Sequence, residues 1–174
     1  MNLQGKTIAI LVAEGVEDLE YYVPQMRLQE EGAKVLSAGL DLKPVKGKNG
    51  LVITPDTTIE SLKAGDLYAV ILPGGWAPDK MRRYAVVKTL VKEMDNAHKV
   101  IGIICHGGSI AISAGIIKKG QRATGSVGIK DDLVNAGAVW TDEPAFRERN
   151  QIWGRVVADI PDFNRELVKA LVEG

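Results

Sequence analysis

The 174-residue sequence predicts an α/β fold in which a mainly parallel sheet is covered by helices on both faces, and two observations carry that prediction. Apolar runs of strand length alternate with segments whose apolar residues recur at helical spacing. Several of those runs are apolar throughout, as strands buried on both faces must be. The length and a hydrophobic fraction of 45% suit one domain, residues 1–174, with an ordinary core.

Residues 6–13 read as the first strand. Leu19, Tyr22, Val23 and Met26 follow at i, i+3, i+4 and i+7, the stripe of a helix that ends near Gly32 and is kinked or restarted at Pro24. Residues 34–40 form the second strand, and 44–53 a small hairpin turning at 47–50. A core strand at 67–72 leads into the loop 73–79, where a proline and two glycines interrupt any ladder. The next helix carries Val87, Leu90, Val91 and Met94 inward, and a strand at 99–104 delivers Cys105 to a sharp strand-to-helix turn. A short strand begins at Ala123, a short helix at 131–136 is closed by Gly137, and 146–155 reads as a hairpin turning at Arg149 and Asn150. The last helix is capped by Asp159, has Pro161 in its first turn, and turns Phe163, Leu167, Ala170 and Leu171 inward.

Lys plus Arg and Asp plus Glu balance at 22 each, so the chain lacks the basic field that nucleic acid or an anionic membrane surface requires. Residues 100–117 hold no charged side chain, but Cys105, His106, two glycines and two serines interrupt them, so they read as a core strand and helix rather than a membrane span. No export signal precedes the first strand, which predicts a cytoplasmic protein. One cysteine excludes an intrachain disulfide and a clustered-thiol metal site, and no cofactor or metal is expected.

In open α/β sheets the ligand crevice lies beyond the carboxyl ends of the strands, which selects the loops 14–18, 73–79 and 105–108. Cys105 stands there before a helix, whose N-terminal dipole favours thiolate, the nucleophilic form. Gly107 and Gly108 let the backbone turn so that N–H groups face an oxyanion, and Gly74-Gly75 before a helix suits an anion although the loop lacks the lysine and spacing of a phosphate loop. His106 is the base for the thiol or a turn residue directed elsewhere. Glu17 and Asp18 read as carboxylates that complement a helix dipole, whereas Glu20 lies off the apolar stripe and near the crevice, where a buried carboxyl can carry protons. An inert buried thiol is the plainer account of Cys105, but the following His-Gly-Gly has no packing purpose.

Together, Glu17-Asp18-Leu19-Glu20, Leu72-Pro73-Gly74-Gly75 with Pro78-Asp79, Ile104-Cys105-His106-Gly107, Ala123-Thr124-Gly125, Gly128 to Asp132, Asn135 to Trp140, and Arg155 with Asp159-Ile160-Pro161 resemble the PfpI intracellular-protease family of the ThiJ/PfpI superfamily, relatives of class I glutamine amidotransferase domains. The resemblance implies a flavodoxin-like three-layer sandwich with Cys105 as elbow nucleophile, Glu20 as the acid beside it, and His106 with Asp79 completing a triad. That acid comes from a neighbouring subunit, so a homodimer or a hexamer built as a trimer of dimers is expected. Asp79 stands where the family archetype has glutamate, and Gly108 where proline is usual. The implied activities are peptidase-like hydrolysis, glutathione-independent glyoxalase chemistry on methylglyoxal, and deglycation, with small carbonyl compounds, glycated amines or peptides as partners. The alternative is a non-enzymatic stress or redox-sensing protein that uses oxidation of Cys105. Trp76 and Pro78 read as interface residues, or Trp76 as a lid on its own site.

Overall fold

The computed structural model describes residues 2–174. Its strands are β1 (Thr7–Leu11), β2 (Lys34–Gly39), β3 (Val45–Lys46), β4 (Val52–Ile53), β5 (Thr57–Thr58), β6 (Ala69–Leu72), β7 (Val100–Ile104), β8 (Arg122–Ala123), β9 (Val139–Trp140), β10 (Ala145–Glu148) and β11 (Gln151–Gly154). The helices are α1 (Asp18–Glu30), α2 (Ala77–Met81), α3 (Ala85–Asn96), α4 (Gly108–Ser113), α5 (Lys130–Asn135) and α6 (Ile160–Glu173). A seven-stranded sheet runs β10-β11-β7-β6-β1-β2-β5. Every pairing in it is parallel except the hairpin between β10 and β11. This is the α/β three-layer sandwich read from the sequence.

Its central strands are apolar and fully buried because both faces are covered, by α1 and α6 on one side and by α2, α3 and α4 on the other. Gly102 of β7 and Gly154 of β11 leave room for the ring of Phe163, the fully buried anchor of α6. Register aligns Leu72 with Ile103 and Ile104 with Gly154, so β6, β7 and β11 end at one edge. The loops after β1, β6 and β7 converge there.

Three expectations need correction. The stripe Leu19, Val23 and Met26 of α1 faces outward, Met26 being 61% exposed, while Tyr21, Pro24 and Leu28 face the sheet. Both sets lie at helical spacing, so the apolar pattern alone did not fix the rotation of this helix. The loop after β6 is also shorter than read: α2 starts at Ala77, with Pro78 in its first turn, and Asp79 stands on that helix. Finally, Asp159 makes no side-chain cap on α6, because Arg155 holds both its oxygens, at 2.9 and 3.2 Å. The hairpin at β3 and β4, the inward face of α3, and the inner stripe of α6 stand as predicted. No helix among the described residues is long and apolar enough to cross a membrane.

Candidate active site

Cys105 leaves β7 with φ of +58°, a left-handed conformation that a side chain adopts only under constraint. The constraint is visible in the glycines around it. A Cβ on Gly107 would collide with the carbonyl oxygen of Leu72, so only glycine lets the elbow sit against the end of β6. A Cβ on Gly74 would lie 2.6 Å from Cys105 Cβ and 2.7 Å from Glu20 Oε2. Glycine at 74 thus permits three segments, distant in sequence, to meet at one point.

Glu20, on the first turn of α1, is fully buried. Its Oε2 accepts the Gly74 N–H at 2.6 Å, while Oε1 is buried with no hydrogen bond of good geometry. Burial pushes this carboxyl up to about 7, and the charge of Glu17 adds to the rise. Beside it, burial pushes the Cys105 thiol up to about 12, and the Glu20 charge pushes the same way. The N–H groups of His106 and Gly75 oppose that rise by pointing at the sulfur. The dipole argument from sequence is therefore overturned: α4 has six residues, and a separate turn, Cys105–Gly107, precedes it, so desolvation wins. Near neutrality Cys105 therefore keeps its proton while Glu20 titrates, so the two do not stand as a pair of anions.

His106 places Nδ1 3.3 Å from Cys105 Sγ. Burial, and then the charge of Lys48, hold its pKa below the usual imidazole value, so the ring is neutral near pH 7. Asp79 lines the same cavity of about 680 Å³ but is tied to Arg83, just beyond the end of α2, and makes no hydrogen bond to His106 in the chain. Gly74, one of the predicted oxyanion donors, has its N–H committed to Glu20, and the elbow glycine Gly107 serves close packing. The amides that face the sulfur are those of His106 and of Gly75, the remaining predicted donor.

The two acids read as dipole partners do more than that. Glu17 caps α1 by accepting the N–H of Leu19 (2.8 Å) and of Glu20 (3.0 Å), and it also holds Asn49 Nδ2 at 2.8 Å. Asp18, buried, accepts the N–H of Asn49 and of Leu51 at 2.7 and 2.8 Å. Both pin the β3–β4 hairpin onto the site and bring Lys48 to the cavity. Sequence reasoning missed Lys48, together with Ser109 and Ser126 on the same walls. The glycine-rich turn at 47–50 marked a hairpin, but nothing in its spacing tied it to residues thirty positions earlier. Among the described residues no cluster of His, Cys, Asp or Glu has the arrangement of a metal site.

Residues 6–170 match the DJ-1/PfpI family. The chain belongs to that family. It is 38% identical over 164 residues to a deglycase of Pyrococcus abyssi, covering 94% of this chain and 98% of the relative. A Bacillus subtilis relative, provisionally named a cysteine protease, is 34% identical over 168 residues, covering 96% of this chain and 99% of its own. Among solved structures, a two-domain protein of Anabaena variabilis with DJ-1/ThiJ/PfpI-like and ferritin-like domains superposes with a TM-score of 0.93 at 34% identity. That match covers 95% of this chain and 48% of the two-domain chain. The motifs quoted from the sequence thus led to the right family, whose relatives carry enzyme names.

Proposed function

We propose that this protein is a cysteine-nucleophile enzyme that acts on small carbonyl compounds such as methylglyoxal and on the amines they have glycated. The observation that carries this reading is the contact of a strained Cys105 with a fully buried Glu20 whose second oxygen is unpaired. Such a carboxyl is matched to proton transfer near neutral pH. The deglycase names of the relatives support the same chemistry.

As sulfur adds to the aldehyde carbon, the C=O π bond opens, Glu20 takes the thiol proton, and the new oxyanion meets the N–H groups of Gly75 and His106. Return of the proton gives a neutral hemithioacetal. With the hemiaminal of a glycated amine the sulfur displaces the amine, which leaves with the thiol proton, and reaches the same intermediate. Transfer of the C1 proton to C2 through neutral His106 or Glu20, with the C1 hydroxyl proton passing to the C2 oxygen, yields a hydroxyacyl thioester, and water cleaves it to the hydroxy acid and free Cys105. Asp79 of a neighbouring chain orients His106 from its Nε2 side, where no partner lies among the described residues of its own chain. The test is turnover of methylglyoxal beside a chromogenic peptide in wild type and Cys105→Ala. Loss of methylglyoxal turnover in the variant is expected. Unchanged turnover overturns the nucleophile assignment, and peptide cleavage alone favours the protease reading.

A further inference from the structure

Three charged side chains line the cavity besides Glu20, namely Glu17, Lys48 and Asp79. Glu17 is saturated by two backbone N–H groups and Asn49, and Asp79 is neutralised by Arg83. The Lys48 ammonium has no carboxylate partner among the described residues. It stands 6.0 Å over the ring of Trp76, at the cavity mouth.

A solvated surface lysine needs no fixed backbone, and this one has it. The Lys48 N–H donates to Val16 O at 2.8 Å, and the Gly15 N–H to Lys46 O at 2.8 Å, which ties the hairpin to the loop after β1. Asp18, a buried carboxylate, is devoted to the amides on either side of Gly50. A Cβ on Gly47 would lie 2.5 Å from Asp18 Oδ1, so glycine is required there for the hairpin to close on the acid. Two buried acids and a glycine thus fix the backbone that carries one exposed, unpaired cation on the wall of the cavity that holds the thiol.

We infer that Lys48 is a specificity-determining residue that binds an anionic group on the substrate, so the preferred substrates are carbonyl compounds that carry a carboxylate. This rests on the reading of Cys105 as the atom that meets the carbonyl. With the aldehyde carbon at the sulfur, a carboxylate on the same compound reaches towards Lys48 and forms a charge-assisted hydrogen bond with the ammonium. Where that carboxylate is C2 itself, as in glyoxylate, the adduct forms but has no ketone to accept the C1 proton, so glyoxylate serves as a binding probe. The sulfur adds across C=O and the thiol proton ends on the carbonyl oxygen, so the adduct keeps its carboxylate and its charge.

The experiment compares glyoxylate with methylglyoxal, both aldehydes, as protectants of Cys105 against iodoacetamide alkylation at one pH, in wild type, Lys48→Met and Lys48→Arg. The ratio of the two protection constants is the readout, so any change in thiol reactivity cancels. Lys48→Met is expected to shift that ratio about tenfold against glyoxylate, and Lys48→Arg to restore most of it. In wild type, raising salt should weaken glyoxylate selectively. An unchanged ratio in Lys48→Met, or a ratio indifferent to salt in wild type, overturns the inference. Because protection needs no turnover, a protein that shows the Lys48-dependent ratio but does not convert methylglyoxal would sink the enzymatic reading and leave this one standing. Protection in Cys105→Ala is not measurable, but if neither aldehyde protects wild type, the role of Cys105 itself fails and this inference fails with it.

Discussion

At the scale of single residues, the site depends on where its protons sit. Glu20 is raised from 4.5 to about 7, so the folded protein holds a proton there that the unfolded chain releases. The stability this contributes is present in full below 4.5 and is lost as pH rises through about 7, a change of roughly 3 kcal/mol for a group shifted that far. Glu20→Gln should flatten the slope of unfolding free energy against pH in that window, as denaturant titrations at several pH values would show. An unchanged slope would mean that Glu20 titrates normally. The same substitution removes the charge that pushes the thiol up, so the pH midpoint of Cys105 alkylation should fall. If the midpoint stays or rises, Glu20 does not control the sulfur. Catalysis should suffer more than substrate binding, because the titratable proton is gone while the shape remains. Cys105, Glu20 and His106 were legible from residue type and place alone, since a thiol at a glycine-rich elbow is hard to explain by packing. The direction of the thiol shift was not, because desolvation depends on neighbours that come from elsewhere in the chain.

At the scale of elements, the decisive contact is between the start of α1 and the β3–β4 hairpin. Asp18→Ala should leave the N–H groups of Asn49 and Leu51 without their acceptor and lower stability by about 2 kcal/mol. Amide exchange at those two positions should quicken more than in β6 or β7. Equal protection in wild type and variant would show that the hairpin is held by other means. The strands, α3 and α6 were readable because each has a single apolar face or none that is polar. Helix α1 was not, since Leu19, Val23 and Met26 offer one apolar face and Tyr21, Pro24 and Leu28 another, while its buried polar groups turn to the site. A helix with apolar residues on both sides is a helix with two partners. Asp79 was misplaced for a different reason: Pro78 reads as a loop residue, yet it also suits the first turn of a helix.

At the scale of the whole molecule, one chain leaves apolar surface in water, with Trp76 66% exposed beside the cavity and Met26 61% exposed on α1. On the proposed assembly these surfaces are covered by further copies, and Asp79 reaches the His106 of a neighbour. Chains of Cys105→Ala and Asp79→Ala, each inactive, should regain activity when refolded together, and sedimentation at micromolar concentration should show a species larger than one chain. A fully active monomer would defeat the shared site and leave Cys105 untouched. The parallel order of the sheet, by contrast, was legible from alternation alone, because covering helices leave no other arrangement for strands that are apolar on both faces.

The left-handed backbone at Cys105 has a consequence for how stability and activity trade against each other in this fold. In the interior of a strand or helix with room for a methyl group, glycine is a worse choice than alanine, since it adds freedom to the unfolded chain. At position 105 the order should invert, because any Cβ there meets the steric cost of positive φ, about 1 kcal/mol, and glycine does not. Cys105→Gly should therefore melt at a higher temperature than Cys105→Ala, although the proposed function leaves both without activity. A lower melting point for the glycine variant would mean that the elbow holds no strain. If the inversion is found, selection has kept the less stable residue at the one position where the sulfur is needed, and a search for stabilising substitutions in this protein would converge first on destroying its active centre.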